Sequence, residues 1–134
     1  MSQDNVEIVR RAVEAFNDVG FDGFSTSDLV TDDVEFREPP EQPAPRVARG
    51  REEVRRLGAE FDAAWATHQS ETEEIRALDA ERVLLFSRER FTGRDGIELE
   101  APFASIFTLR DQKIACWEAF WDRQKALEAA GLGE

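Results

Sequence analysis

Glu38 stands where a carboxylate could move protons. It closes the segment Asp32-Asp33-Val34-Glu35-Phe36-Arg37-Glu38, in which Val34 and Phe36 take the apolar positions of a half-buried strand, and Pro39-Pro40 stop that strand at once. From Pro39 to Gly50 the chain carries four prolines and no periodicity, so this stretch reads as a loop suited to the rim or lid of a pocket. A carboxylate at the mouth of an apolar cavity has its pKa pushed upward by desolvation, toward the range where it exchanges protons near neutrality. Glu38 is thus the leading candidate for a general base or acid, the plainer alternative being a rim glutamate that solvates the loop before Pro39.

Other side chains could complete such a site. Trp117 and Trp121, with Ala119 between them, share one face of the last strand, which reads either as ordinary aromatic core or, if that face looks into a pocket, as a flat slot for a ring-containing ligand. If Gly93-Arg94-Asp95-Gly96 closes a tight hairpin with Thr92 opposite Ile97, Glu89 lies across from Glu100 on the face shared with Ala104. A one-residue bulge at the turn would instead present Arg88 and Arg90 on that face. His68, the only imidazole, could serve as an acid or base near neutrality, but it sits in the polar run Thr67-His68-Gln69-Ser70 and reads rather as an exposed connector. Ser105 and Cys116 have no evident base partner, so neither supports a nucleophile. A lone cysteine cannot form an internal disulfide, and with one histidine to join it a transition-metal centre is not expected.

The elements that must position these residues follow from periodicity. Val6, Val9, Val13 and Phe16, flanked by Ile8, Ala12, Ala15 and Val19, predict a deeply buried helix over Asp4 to Val19, ended by Gly20. A second helix is predicted from Arg51 to Ala66, with Val54, Leu57, Phe61 and Trp65 on one face. Two-residue alternation then marks strands near Gln69–Leu78, Arg82–Thr92, Ile97–Leu109 and Lys113–Trp121, punctuated by Asp79-Ala80-Glu81, Gly93 to Gly96 and Arg110-Asp111-Gln112. A last helix runs from Asp122 to Ala130. Helices first and an antiparallel meander afterwards define an α+β domain spanning the 134 residues. The central strands are apolar on both faces while the two long helices can cover only one, which predicts a homodimer.

Seventeen basic against 29 acidic side chains leave a net charge of −12, which disfavours nucleic acid and anionic membranes as partners. No apolar run reaches the length of a membrane span, and the polar start Met1-Ser2-Gln3-Asp4-Asn5 is unlike a signal peptide, so a cytoplasmic protein is expected. The near-exclusive use of arginine for positive charge hints at a bacterial source.

The Asp32 to Pro40 segment, followed by Gly50-Arg51-Glu52-Glu53-Val54-Arg55, with a helix before and strands after, resembles the SnoaL-like branch of the nuclear transport factor 2-like superfamily, which includes the ketosteroid isomerases. The resemblance spans nearly the whole chain. It implies a curved antiparallel sheet wrapped around helices into a cone with an internal pocket. It places Glu38 on the carboxylate that moves the substrate's proton, turns Trp117 and Trp121 into the cone, and makes Phe16, Phe61, Ala104, Glu89 and Glu100 the other candidate substrate-binding residues. The isomerases' oxyanion hole is missing: the tyrosine and the neutral aspartic acid that build it are replaced by Ala12 and Ala104, and the chain has no tyrosine. Steroid isomerisation of that kind is therefore not expected. Three functions stay open: a metal-free and cofactor-free isomerase, cyclase or lyase acting through Glu38 on a hydrophobic ring compound; a non-catalytic ligand-binding or dimerisation module; and an epoxide hydrolase, for which the aspartate–arginine–aspartate set used by relatives finds no clear match.

Overall fold

The computed structural model describes residues 2–132. Helix α1 (Ser2–Ser25) buries Val6, Val9, Ala12 and Phe16, residues spaced by three and four along one stripe. It does not stop at Gly20. That glycine takes φ 71°, a left-handed conformation costly for other residues, and the chain resumes helical form beyond the kink. The bend frees the Phe21 N–H from the helix, and Asp62 accepts it at 3.4 Å. Phe21 and Phe24 are thereby turned into the core rather than along the helix surface.

Strand β1 (Val30–Arg37) follows, then the short β2 (Val47–Arg49), α2 (Arg51–Ala64), β3 (Thr67–Ala77), β4 (Arg82–Thr92), β5 (Glu98–Arg110), β6 (Lys113–Phe120) and α3 (Arg123–Ala129). The six strands form one sheet in the order β2-β1-β6-β5-β4-β3. The meander β3 to β6 is antiparallel as expected, but β1 lies parallel to β6, with Phe36 opposite Trp117, so the sheet is mixed. β2 falls within the proline-rich segment that the sequence reads as loop, because three residues after the last proline are too few to show a period. Asp122 caps α3 by accepting the Gln124 N–H at 2.8 Å.

Helices α1 and α2 pack on one face of the sheet. They meet closely at Gly58, where an added Cβ would lie 2.1 Å from the Phe21 side chain. Arg51 ties the exit of α1 to β1: its guanidinium donates to the carbonyls of Ser25, Ser27 and Val30 and to the Asp32 carboxylate. On the opposite face a second apolar cluster joins Leu84, Ala104, Ile106 and Phe120 to Ala126 and Ala130 beside α3. The small helix α3 thus occupies the apolar outer face for which the sequence predicts a second subunit. Next to it that face is charged: Arg88 pairs with Glu73 at 3.2 Å and Arg90 with Glu100 at 2.9 Å. Among the described residues no helix is long and apolar enough to cross a membrane.

Candidate functional site

A cavity of about 280 Å³ opens between the helices and the concave face of the sheet. Its walls follow from strand alternation. β4 contributes Leu85, Ser87, Glu89 and Phe91, β5 contributes Phe103, Ser105 and Phe107, and β6 supplies Trp117 and Ala119, with Trp121 just beyond its end. Helices α1 and α2 add Ala12, Phe16, Phe21, Phe24 and Phe61. The depth is aromatic: the Trp117 indole lies 4.7 Å from the Phe36 ring, 4.9 Å from Phe24 and 5.5 Å from Phe21, centre to centre. Its Nε1–H donates to the buried Ser105 Oγ at 2.9 Å. Ser105 accepts there, so its own hydrogen is free for an oxygen in the cavity.

Glu89 is the second polar point, and it is 5% exposed. Its Oε1 lies 2.7 Å from His68 Nε2, while Oε2 accepts from Ser70 Oγ at 2.8 Å and from Ser87 Oγ at 2.6 Å. His68 stacks on Phe91 with ring centres 4.4 Å apart and meets the edges of Phe16 and Phe61. Asn17 fixes this corner of the sheet to α1, donating to the Ser70 carbonyl and accepting the Ser70 N–H. His68 is therefore a half-buried wall residue, not an exposed connector. A signal was present in the sequence: His68 and Ser70 occupy alternate positions, hence one strand face, at the start of the segment that pairs with β4. It was masked because both faces of that stretch are polar.

The sheet register decides the other acidic candidate. Thr92 pairs with Glu98 rather than Ile97, so Arg90 faces Glu100, Glu89 faces Ala101 and Phe86 faces Ala104. Ala104 and Glu100 thus lie on the outer face, Ala104 under α3 and Glu100 bonded to Arg90, and neither lines the cavity. The wider turn, with Gly93 N–H bonded to the Ile97 carbonyl, shifts every partner by one. Glu89 enters the cavity on the face opposite Ala104. Phe16, Phe61, Trp117 and Trp121 all line it.

Glu38 also lines the cavity, at its mouth, but not as a free carboxylate. Arg46 grips it with Nε to Oε1 at 3.2 Å and Nη2 to Oε2 at 3.1 Å, adds its backbone N–H at 2.8 Å, and reaches Glu60 with Nη1 at 3.0 Å. Burial alone would raise the Glu38 pKa, as the sequence predicts. The hydrogen bonds and positive charge of Arg46 outweigh it, and the carboxyl sits below the ordinary glutamate range. The expected upward shift is thus reversed. The loop between them is pinned at its other side by Glu41, which accepts the Trp121 and Asp122 N–H groups. Cys116 offers no nucleophile either, since burial pushes its thiol up to about 11.

A titration follows from the Glu38 arrangement. Carboxyl-carbon NMR should find Glu38 ionising below the ordinary range in the unaltered protein and at higher pH in Arg46→Ala, where burial is less opposed. Because the folded value is depressed, the pair's contribution to stability is complete above the unfolded value of about 4.3 and is lost as pH falls through the folded one. An unchanged Glu38 titration in Arg46→Ala would contradict this account.

The family model for the SnoaL-like domain matches residues 9–117. The chain belongs to that family. TerC, crystallised with polyporic acid, superposes with a TM-score of 0.77 at 19% identity over 96% of this chain and 98% of its own. A putative SnoaL-like polyketide cyclase from Jannaschia sp. CCS1 superposes at 0.76 and 17% identity over 100% and 96%. An M. tuberculosis LEH-like epoxide hydrolase does so at 0.71 and 16% over 98% and 92%. At these identities the likeness shows the α+β cone shared across the SnoaL-like and nuclear transport factor 2-like proteins, and not a reaction. No curated protein matches the chain in sequence. Among the described residues no group of three or more His, Cys, Asp or Glu is placed to hold a metal ion.

Proposed function

We propose that this SnoaL-like protein binds a hydrophobic, ring-containing small molecule in the cavity between α1, α2 and the sheet. The observation that carries the reading is the lining: eight phenylalanines and two tryptophans line the cavity, and the Ser105 hydroxyl and the Glu89–His68 pair are set among them. Such a site gains affinity from burying apolar ligand surface and orientation from a few placed hydrogen bonds. A volume near 280 Å³ suits a ligand of a few fused or linked rings. TerC with its polyporic acid and the Jannaschia cyclase support the same class of ligand by analogy of fold.

The hydrolase reading has less support, because the arginine at the mouth, Arg46, is already engaged by Glu38 and Glu60. Self-association as a homodimer would have the charged strip around Arg88, Arg90 and Glu100 as its available outer surface beside α3.

Binding is tested with polycyclic ketones and naphthalene dyes by tryptophan emission and thermal shift. The expected result is saturable quenching with a raised melting temperature, since a ligand that binds only the folded state stabilises it. Trp121→Ala should weaken the affinity while leaving the fold intact. A panel that neither quenches nor shifts the melt would overturn the reading.

A further inference from the structure

We propose that His68 is a proton-transfer residue acting on the bound ring compound, with Glu89 positioning it, and that Glu38 serves the rim instead. The inference rests on the ligand-binding reading of the cavity. Its own basis is the geometry of one imidazole.

Glu89 contacts Nε2 and takes both serine hydroxyls, so as the carboxylate it can only accept from all three. That fixes the hydrogen on Nε2. It leaves Nδ1 with its lone pair, and no described residue pairs with it. The ring is held against rotation by Phe91 on one face and by the edges of Phe16 and Phe61. A carboxylate that sets the tautomer on one ring nitrogen and stabilises the imidazolium formed at the other is the usual way of making a histidine an effective base. Around the imidazole the wall is aromatic, formed by Phe16, Phe61 and Phe91.

The substrate class is a neutral ring compound carrying a C–H beside a carbonyl. Nδ1 takes that proton, and the C–H electron pair moves onto the carbonyl oxygen to form an enolate. The imidazolium then returns the proton to another carbon of the conjugated system. The product is an isomer, His68 ends as it began, and no co-reactant is consumed. Glu38 is less suited to this step, because its lone pairs are held by Arg46 and its carboxyl is a weakened base.

The test uses 5-nitrobenzisoxazole, a flat bicyclic probe that reports a base in an apolar site. Removal of its C3 proton sends the C–H pair into a nitrile, breaks the N–O bond and releases a coloured cyanonitrophenolate. The expected result is turnover faster than by free imidazole at the same concentration, lost at least tenfold in His68→Gln with probe binding retained. In His68→Ala, added imidazole should restore part of the rate.

A measurement on the unaltered protein guards against a folding defect in the variants. The chain has one histidine, so diethyl pyrocarbonate should abolish turnover in step with a single ethoxycarbonyl-imidazole absorbance, and hydroxylamine should reverse both. Binding of the probe without turnover, a rate that survives His68 modification, or a rate that follows Glu38→Gln instead would overturn the assignment while leaving the binding reading intact. Failure of the probe and of every ketone and dye to bind would overturn both.

Discussion

Trp117→Ala is expected to lower stability by about 3–5 kcal/mol, the usual cost of deleting a large core aromatic. The indole is 9% exposed and stands at the centre of five phenylalanines, Phe16, Phe21, Phe24, Phe36 and Phe107. Those rings come from α1, β1 and β5, so a void there loosens contacts between elements and not only within one. The variant also removes the donor to Ser105, leaving a buried hydroxyl to find another partner. Trp121→Ala should cost clearly less. Trp121 is half-buried at the cavity's end, with Phe103 and Phe91 as its aromatic neighbours. Guanidinium unfolding of both variants checks the order, and a Trp121 variant less stable than the Trp117 variant would contradict this account of the core.

Glu89→Ala is the other large expected effect. It deletes the acceptor shared by His68, Ser70 and Ser87, and an unsatisfied buried donor costs about 1–3 kcal/mol. Water entering the cavity can relieve part of that loss, and the net destabilisation should be at least about 2 kcal/mol. Glu89→Gln keeps the shape and one acceptor oxygen, and its amide can donate to a serine hydroxyl. It should therefore retain most of the stability while altering the hydrogen bond that orients His68. Urea unfolding of the two variants separates the contributions. A Glu89→Ala protein as stable as the unaltered one would mean that the cluster is not the buried anchor described here.

The two carboxylates differ in how much of their setting is written in the local sequence. Glu38 was legible because it ends a recognisable strand before two prolines and matches a family position. Its partner Arg46 lies eight residues on, across a proline-rich turn whose path no local pattern predicts. Once closed, that turn brings a guanidinium to the carboxylate, and the sign of the pKa shift reverses. Glu89 was legible as a candidate but not its setting. Whether it faced the cavity hung on a single residue in the turn from Gly93 to Gly96, since a shift of one exchanges the two faces of a strand. Its imidazole partner comes from the opposite strand, 21 residues away.

By itself the sequence determined the order of the elements other than β2, the helical stripes of Val6 to Phe16 and of Val54 to Phe61, the α+β class, and the shared face of Trp117 and Trp121. These are local matters, written in spacings of two and of three to four residues. Only the tertiary structure decided that β1 lies parallel to β6, that α3 covers the outer apolar face, that α1 continues past Gly20 because Asp62 satisfies the bend, and that His68 meets Glu89 inside an aromatic cavity. Each of those depends on a partner distant in the chain. Local periodicity reports which side of an element is apolar, but the residue that will lie against that side is chosen by closure of the whole fold, where burial and hydrogen bonding are satisfied together.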